Sequence, residues 1–254
     1  MCYYAQCVSE HHILRESVIR FGTVSLEDPP SRIEFDDGRQ RLILKTAVIE
    51  DAAGIHEAVQ ESLTELRQFF AWAHKPMTVE DHRIRLEELF GKDSESGEVL
   101  YLVRDVEEGP ILGSISYIRQ RVLNPYAAEL GYWIRSSSTG CGLGTLAARC
   151  LCVVALDYCA CTRMQCIYDE KNLASQRVAE KSGFQQEALL KRYGVVATPE
   201  TRQKGDITSE NSVMSALFPE DLGRFSWYEG IQENLRVFDS EGNRARPNPG
   251  KVAF

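Results

Sequence analysis

The stretch Arg135-Ser136-Ser137-Ser138-Thr139-Gly140-Cys141-Gly142-Leu143-Gly144-Thr145 decides how this chain is read. Before it lies a strand-like run, Ala127 to Ile134, and after it a helical stripe of Leu143, Leu146, Ala147, Cys150, Leu151 and Val154 that extends to about Tyr158. Glycines at alternate positions let the backbone curl, so that consecutive N–H groups point into one concavity. The following helix adds unpaired amides and the positive end of its dipole. A diphosphate is the natural guest of such a turn. A P-loop is excluded, because Thr145-Leu146 stands where Lys-Ser/Thr is required. A dinucleotide fingerprint is excluded by the G-x-G-x-G spacing. Taken alone, the glycine pattern is also that of a structural strand–helix turn.

Upstream, Arg41 to Ala47 reads as a strand, and Asp51 as the N-cap of a helix carrying Ile55, Val59, Leu63 and Leu66. A second helix is expected over Val79 to Phe90, then a polar loop, Gly91 to Glu98. Strands follow at Val99–Val103 and Ile111–Arg119, separated by the Glu107-Glu108-Gly109-Pro110 turn. Downstream come a strand at Arg163–Tyr168, a short helix at Ala174–Ser182 and a last strand at Ser212–Leu217. Residues 1–38 read as an N-terminal extension, 39–218 as one domain, and 219–254 as a C-terminal extension.

The formal charge of −8 disfavours nucleic acid and anionic membrane as partners and favours a basic acceptor. The longest apolar run, Leu143 to Leu156, contains Arg149 and is too short to span a bilayer. Glu10, His11, His12, Arg15 and Glu16 interrupt the first 21 residues, so no secretory signal is expected and the location expected is cytoplasmic. The eight cysteines are then reduced thiols. Cys150 and Cys152 fall about 200° apart on a helix and do not chelate one ion together, so they read as small buried hydrophobes. His56, His74 and His82 read as surface residues, and no metal is expected.

Four segments carry a family resemblance: Leu66-Arg67-Gln68-Phe69-Phe70-Ala71-Trp72, Glu129-Leu130-Gly131-Tyr132-Trp133-Ile134, Thr139 to Thr145, and Asn172-Leu173-Ala174-Ser175 with Ala179-Glu180-Lys181-Ser182-Gly183-Phe184. In this order, across roughly residues 40 to 217, they resemble the GNAT superfamily of N-acetyltransferases. More narrowly, they resemble its ribosomal-protein-alanine/serine (RimJ/RimL-type) branch. The resemblance implies an α/β (α+β) GNAT fold, a mixed central sheet flanked by helices and splayed at the cofactor strand. It implies acetyl-coenzyme A (acetyl-CoA) as co-substrate. The backbone of Tyr132, Trp133 and Ile134 would pair with the pantetheine amides, and Thr139, Gly140, Cys141, Gly142, Leu143, Gly144 and Thr145 would hold the pyrophosphate. Asn172 would bond the pantetheine arm, Ser175 would lie near the sulfur, and Arg177 would reach a phosphate. Phe69 and Trp72 would wall the acceptor groove.

Two positions depart from the branch: Thr139 replaces an opening Gln/Arg, and Gly194 stands at the position of the family's catalytic glutamate. Ser175, Glu129 and Tyr193 are therefore the catalytic candidates, with Glu187 as a further carboxylate. Ser175 also reads as a simple helix cap. The expected reaction is acetyl transfer to a primary amine, foremost a protein N-terminal α-amine. The alternatives are a small amine (polyamine, aminoglycoside or amino acid) or a silent acyl-CoA-binding module. The chain is expected to act as a monomer or homodimer.

Overall fold

The computed structural model describes residues 22–90, 97–119, 124–194 and 211–248. Nine strands form one sheet: β1 (Arg32–Asp36), β2 (Arg41–Thr46), β3 (Glu98–Arg104), β4 (Gly113–Arg119), β5 (Ala127–Ile134), β6 (Arg163–Asp169), β7 (Gln185–Leu190), β8 (Ser212–Leu217) and β9 (Leu235–Phe238). Their order is β7-β8-β6-β5-β4-β3-β2-β1-β9, and among these described strands β5 and β6 alone pair in parallel. The helices are α1 (Ala52–Leu66), α2 (Val79–Phe90), α3 (Leu143–Val153), α4 (Leu173–Ser182) and α5 (Tyr228–Asn234).

Local chemistry explains the boundaries. In the β1–β2 turn, Asp37 Oδ1 accepts the Arg39 and Gln40 amides at 2.9 and 2.7 Å, and Gly38 takes φ +80°. Thr78 and Asp81 form a reciprocal capping box at the start of α2, with Thr78 N donating to Asp81 Oδ2 at 2.7 Å and Asp81 N to Thr78 Oγ1 at 3.2 Å. Helix α4 ends on Gly183, left-handed at φ +95°. Helix α3 runs on into a wider π-type turn, Val154–Tyr158, and so covers the helical span expected.

Alternation on the strands sorts the core into two layers. One lies between the sheet and α3 and α5, and includes Leu42, Leu44, Tyr101, Val103, Ile115, Leu130 and Leu151. The other lies beneath α1 and α2, and includes Ile55, Val59, Leu66, Leu86 and Leu102. Cys150, Cys152, Cys159, Cys161 and Cys166 are buried free thiols, and burial pushes Cys161 up to about 11 and Cys166 up to about 12. They act as small apolar residues.

Parts of both segments read as extensions join the sheet. Strand β1 pairs with β2, and β9 pairs with β1 along Arg32↔Phe238 to Phe35↔Leu235. Helix α5 packs on α3 and β1, and the Tyr228 hydroxyl donates to Asp157 Oδ2 at 2.7 Å. Residues 1–21 and most of the Gly91–Glu98 loop lie outside the described residues. Among the described residues, no helix is long and apolar enough to cross a membrane.

Candidate active site

Strands β5 and β6 pair in register only from Ala127↔Arg163 to Leu130↔Cys166, although β5 continues to Ile134 and β6 to Asp169. Beyond Leu130 they part, and a cleft of ≈ 790 Å³ opens between them. That volume lies in the ordinary range for cofactor sites. Its walls are Leu130 to Ile134 and Cys166 to Asp169; its ends are the glycine loop, the start of α4, and Phe69 with Phe70.

The glycine loop is shaped as its sequence requires. Gly140 and Gly142 have φ +78° and +88°, and a Cβ built on either meets nothing within 4 Å. The space above the loop is thus open, and the left-handed backbone demands glycine for conformational reasons. Gly144 differs: its Cβ would sit 3.3 Å from Ile134 Cγ1, so it serves the close approach of α3 to β5. Gly142 is the N-cap of α3 and provides no side-chain cap, which leaves the first-turn amides of that helix without a capping side chain. An open concavity, backbone donors and a helix N-terminus fit the pyrophosphate of acetyl-CoA.

A row of carboxylates on α1, unforeseen from the sequence, holds the segment that leads into this loop. Arg135 donates to Glu61 Oε2 at 2.6 Å and to Glu57 Oε1 at 2.8 Å. The Ser136 amide bonds Ser62 Oγ at 3.0 Å, the Ser136 hydroxyl bonds Glu65 Oε2 at 3.0 Å, and the Ser137 amide bonds Glu61 Oε1 at 3.0 Å. Hydrogen bonds from Ser137 first, and Arg135 second, push Glu61 down to about 2. Spaced by four residues, these carboxylates share one helix face.

On the floor of the cleft, Asn172 Oδ1 accepts the Ser175 amide at 3.0 Å and caps α4. The capping role considered for Ser175 thus belongs to Asn172. Ser175 Oγ lies 2.7 Å from the Tyr132 hydroxyl. Arg177 lines the cleft, and so does Lys181 one turn further along α4, which sequence reading did not single out.

The side of β5 facing α1 and α2 borders a second cavity of ≈ 310 Å³. It shares Phe70, Leu130 to Trp133 and Ile167 with the lining of the cleft. Glu129, Ser114, Ser116, Trp72, Arg85 and Glu98 line it. Gln165, the register partner of Glu129 across the parallel pair, donates to Glu129 Oε2 at 3.0 Å. Burial raises the Glu129 pKa above its ordinary value, against that hydrogen bond.

Most residues singled out from the sequence therefore meet in one cleft: Phe69, Tyr132, Trp133, Ile134, Thr139, Gly140, Gly142 to Thr145, Asn172, Ser175, Arg177 and Tyr193. Glu129 and Trp72 border the second cavity instead. Cys141 is exposed and outside the cleft lining, with its Sγ donating to the Ser138 carbonyl at 3.1 Å. Glu187 is turned to Arg163, at 3.0 Å, and lines neither cavity. Tyr193 is 62% exposed at the cleft's edge, next to Gly194. His82, expected at the surface, is 5% exposed, with its ring edge-on to His56. Among the described residues, no group of three or more His, Cys, Asp or Glu is arranged to hold a metal ion.

The fold is shared with solved acetyltransferases. Mycobacterium smegmatis RimJ in complex with a CoA disulfide superposes with a TM-score of 0.64 at 19% identity, over 85% of this chain and 97% of that one. The RimL ribosomal L7/L12 alpha-N-protein acetyltransferase in complex with coenzyme A gives 0.61 at 19%, over 73% and 97%. The ribosomal-protein-S5-alanine acetyltransferase from Vibrio fischeri gives 0.60 at 19%, over 74% and 97%. A comparison with curated proteins finds no match. The family model described as acetyltransferase (GNAT) domain matches residues 41–185, a span that runs from β2 through the glycine loop to the end of α4. By that match the chain belongs to the GNAT family and is an acetyl-CoA-dependent acetyltransferase.

Proposed function

We propose that this enzyme acetylates the N-terminal α-amine of a protein, as the resemblance to the ribosomal-protein branch implies. The observation that carries this reading is a pair of cavities that share the parted end of β5 as a wall, with the half-buried carboxylate of Glu129 lining the second. In this reading the amides of Gly140 to Thr145 hold the pyrophosphate. The backbone of Tyr132 to Ile134 and the Asn172 side chain hold the pantetheine arm, while Arg177 and Lys181 answer the outer phosphate. Bound in the cleft, acetyl-CoA supplies a thioester whose carbonyl carbon accepts a neutral amine.

The chain's own task is then to orient that amine and manage its proton. Phe69, Phe70 and Trp72 guide the acceptor toward the parted strands. Glu129, with its pKa raised by burial, is a stronger base than an exposed carboxylate and takes the ammonium proton. At neutral pH an α-amine of pKa about 7.8 is partly neutral, whereas deprotonating a lysine of pKa about 10.4 asks for about 3 kcal/mol more. A site with Gly194 in place of a glutamate suits the easier acceptor. Ser175 offers a hydroxyl to the sulfur as the thiolate leaves, and Tyr193 stands at the rim as a second hydroxyl.

Incubation with acetyl-CoA and peptides beginning with Ala or Ser should release free thiol. Absence of turnover across a peptide panel would overturn the proposal. The modest size of the second cavity favours one further reading, a small amine enclosed whole; turnover of a polyamine or amino acid, with none of peptides, would establish it.

A further inference from the structure

Tyr132 stands two residues beyond the last β5–β6 pair, so its ring leaves the ladder and reaches across the gap to α4. Its hydroxyl lies 2.7 Å from Ser175 Oγ and 3.2 Å from the Ser175 carbonyl oxygen. Each of the two hydroxyls has a single proton, so the choice of donor decides what the cleft meets. If the phenol donates to the carbonyl, the serine proton turns back to the phenol and the cleft faces lone pairs. If the phenol donates to Oγ, the serine proton is freed toward the cleft that Ser175 lines. A phenol is a stronger donor than an aliphatic hydroxyl and the serine oxygen the better acceptor, so at 2.7 Å, against 3.2 Å to the carbonyl, the second arrangement is favoured. Burial pushes the Tyr132 phenol far above its ordinary value of 10.0, so it stays protonated and able to donate. The Asn172 cap meanwhile fixes the Ser175 backbone.

We propose that Tyr132 is a positioning residue, whose phenol fills the accepting side of Ser175 Oγ and turns the serine's one proton into the cleft. The inference rests on the reading that Ser175 borders the cofactor sulfur. Tyr132 makes and breaks no bond; it sets the polarity of a neighbour.

The test compares Tyr132→Phe, Ser175→Ala and the double variant. Tyr132→Phe should lower kcat about tenfold, with the KM for acetyl-CoA within about twofold of the unsubstituted enzyme. The double variant should be no slower than Ser175→Ala, because the phenol acts only through the serine. A second readout needs no turnover: calorimetric affinities for coenzyme A and desulfo-coenzyme A, from neutral pH to about pH 10. In the unsubstituted protein, coenzyme A should gain on its desulfo analogue as the thiol ionises, and both single variants should lose that gain. Additive losses in kcat, or a Tyr132→Phe protein that keeps the full gain, would overturn the inference while leaving the acetyltransferase reading intact. If Ser175→Ala changed neither kcat nor the affinity ratio, the reading of Ser175 would fall and the inference with it.

Discussion

Burial raises the Glu129 carboxyl above its ordinary 4.5, and only the Gln165 amide works against the shift. A raised carboxyl pKa means that the folded state holds its proton more firmly than the unfolded chain does. The associated stability is complete below about 4.5 and is lost as pH rises through the folded value. At neutral pH, then, the native protein carries an unfavourable charge, the one that the proposed mechanism uses as a base. Glu129→Gln should lower kcat by about 10²-fold or more, yet leave the thermal midpoint at neutral pH unchanged or higher. Pairing steady-state kinetics with calorimetric melting checks both halves. A variant both slower and clearly less stable would mark Glu129 as a structural residue.

Gly142 poses the reverse case, since its φ of +88° disfavours any side chain while the space beside it is empty. Gly142→Ala should cost about 1–2 kcal/mol in backbone strain and also intrude on the concavity. Affinity for coenzyme A is expected to fall at least about tenfold, measured by calorimetry. Gly223→Ala, at a position with open space and no left-handed backbone, is the control that should leave it unchanged.

At the scale of elements, α1 holds Arg135, Ser136 and Ser137, the segment that leads into the glycine loop. Glu61 is exposed, and its role is geometric: it joins Arg135 and the Ser137 amide to a rigid helix. Its pKa, pushed down to about 2, keeps it ionised at every pH where the enzyme would work, so any stability it adds is present above 4.5 and lost only as pH falls toward 2. Glu61→Ala should weaken coenzyme A binding several-fold while scarcely moving the melting temperature; an unchanged affinity would show that the loop holds its shape unaided.

The sequence disclosed the loop and α3 clearly, because three glycines and a continuous apolar stripe leave few alternatives. It hid the α1 clamp, since Glu57, Glu61 and Glu65 look like any solvated helix face until a distant arginine is folded onto them. The strands β7 and β9 were hidden for a related reason. Gln185–Leu190 is an edge strand whose side chains are largely exposed, so it shows no alternation. Leu235–Phe238 is only four residues long, below the length at which a period can be read.

For the molecule as a whole, residues beyond Phe218 contribute to the main core. Leu222, Tyr228, Ile231, Leu235 and Val237 are all buried there. At roughly 1.5–3 kcal/mol per buried side chain, their loss approaches the entire stability of an ordinary domain. A chain ending at Phe218 should therefore fail to give a cooperative melting transition; a sharp transition would show that the tail is dispensable. Composition pointed the other way, because the tail is polar and mixed and, of its aromatic residues Trp227, Tyr228 and Phe238, only Tyr228 is among those buried residues.

The early end of the β5–β6 ladder makes the sheet resemble a zip left half open, with backbone groups on two facing edges that have no rung between them. A guest bearing its own amides can supply those rungs, so its arrival completes a piece of secondary structure as well as filling a hole. Alternate backbone amides of Gly131 to Ile134 should then exchange hydrogen with solvent quickly in the free protein and slowly once coenzyme A is added.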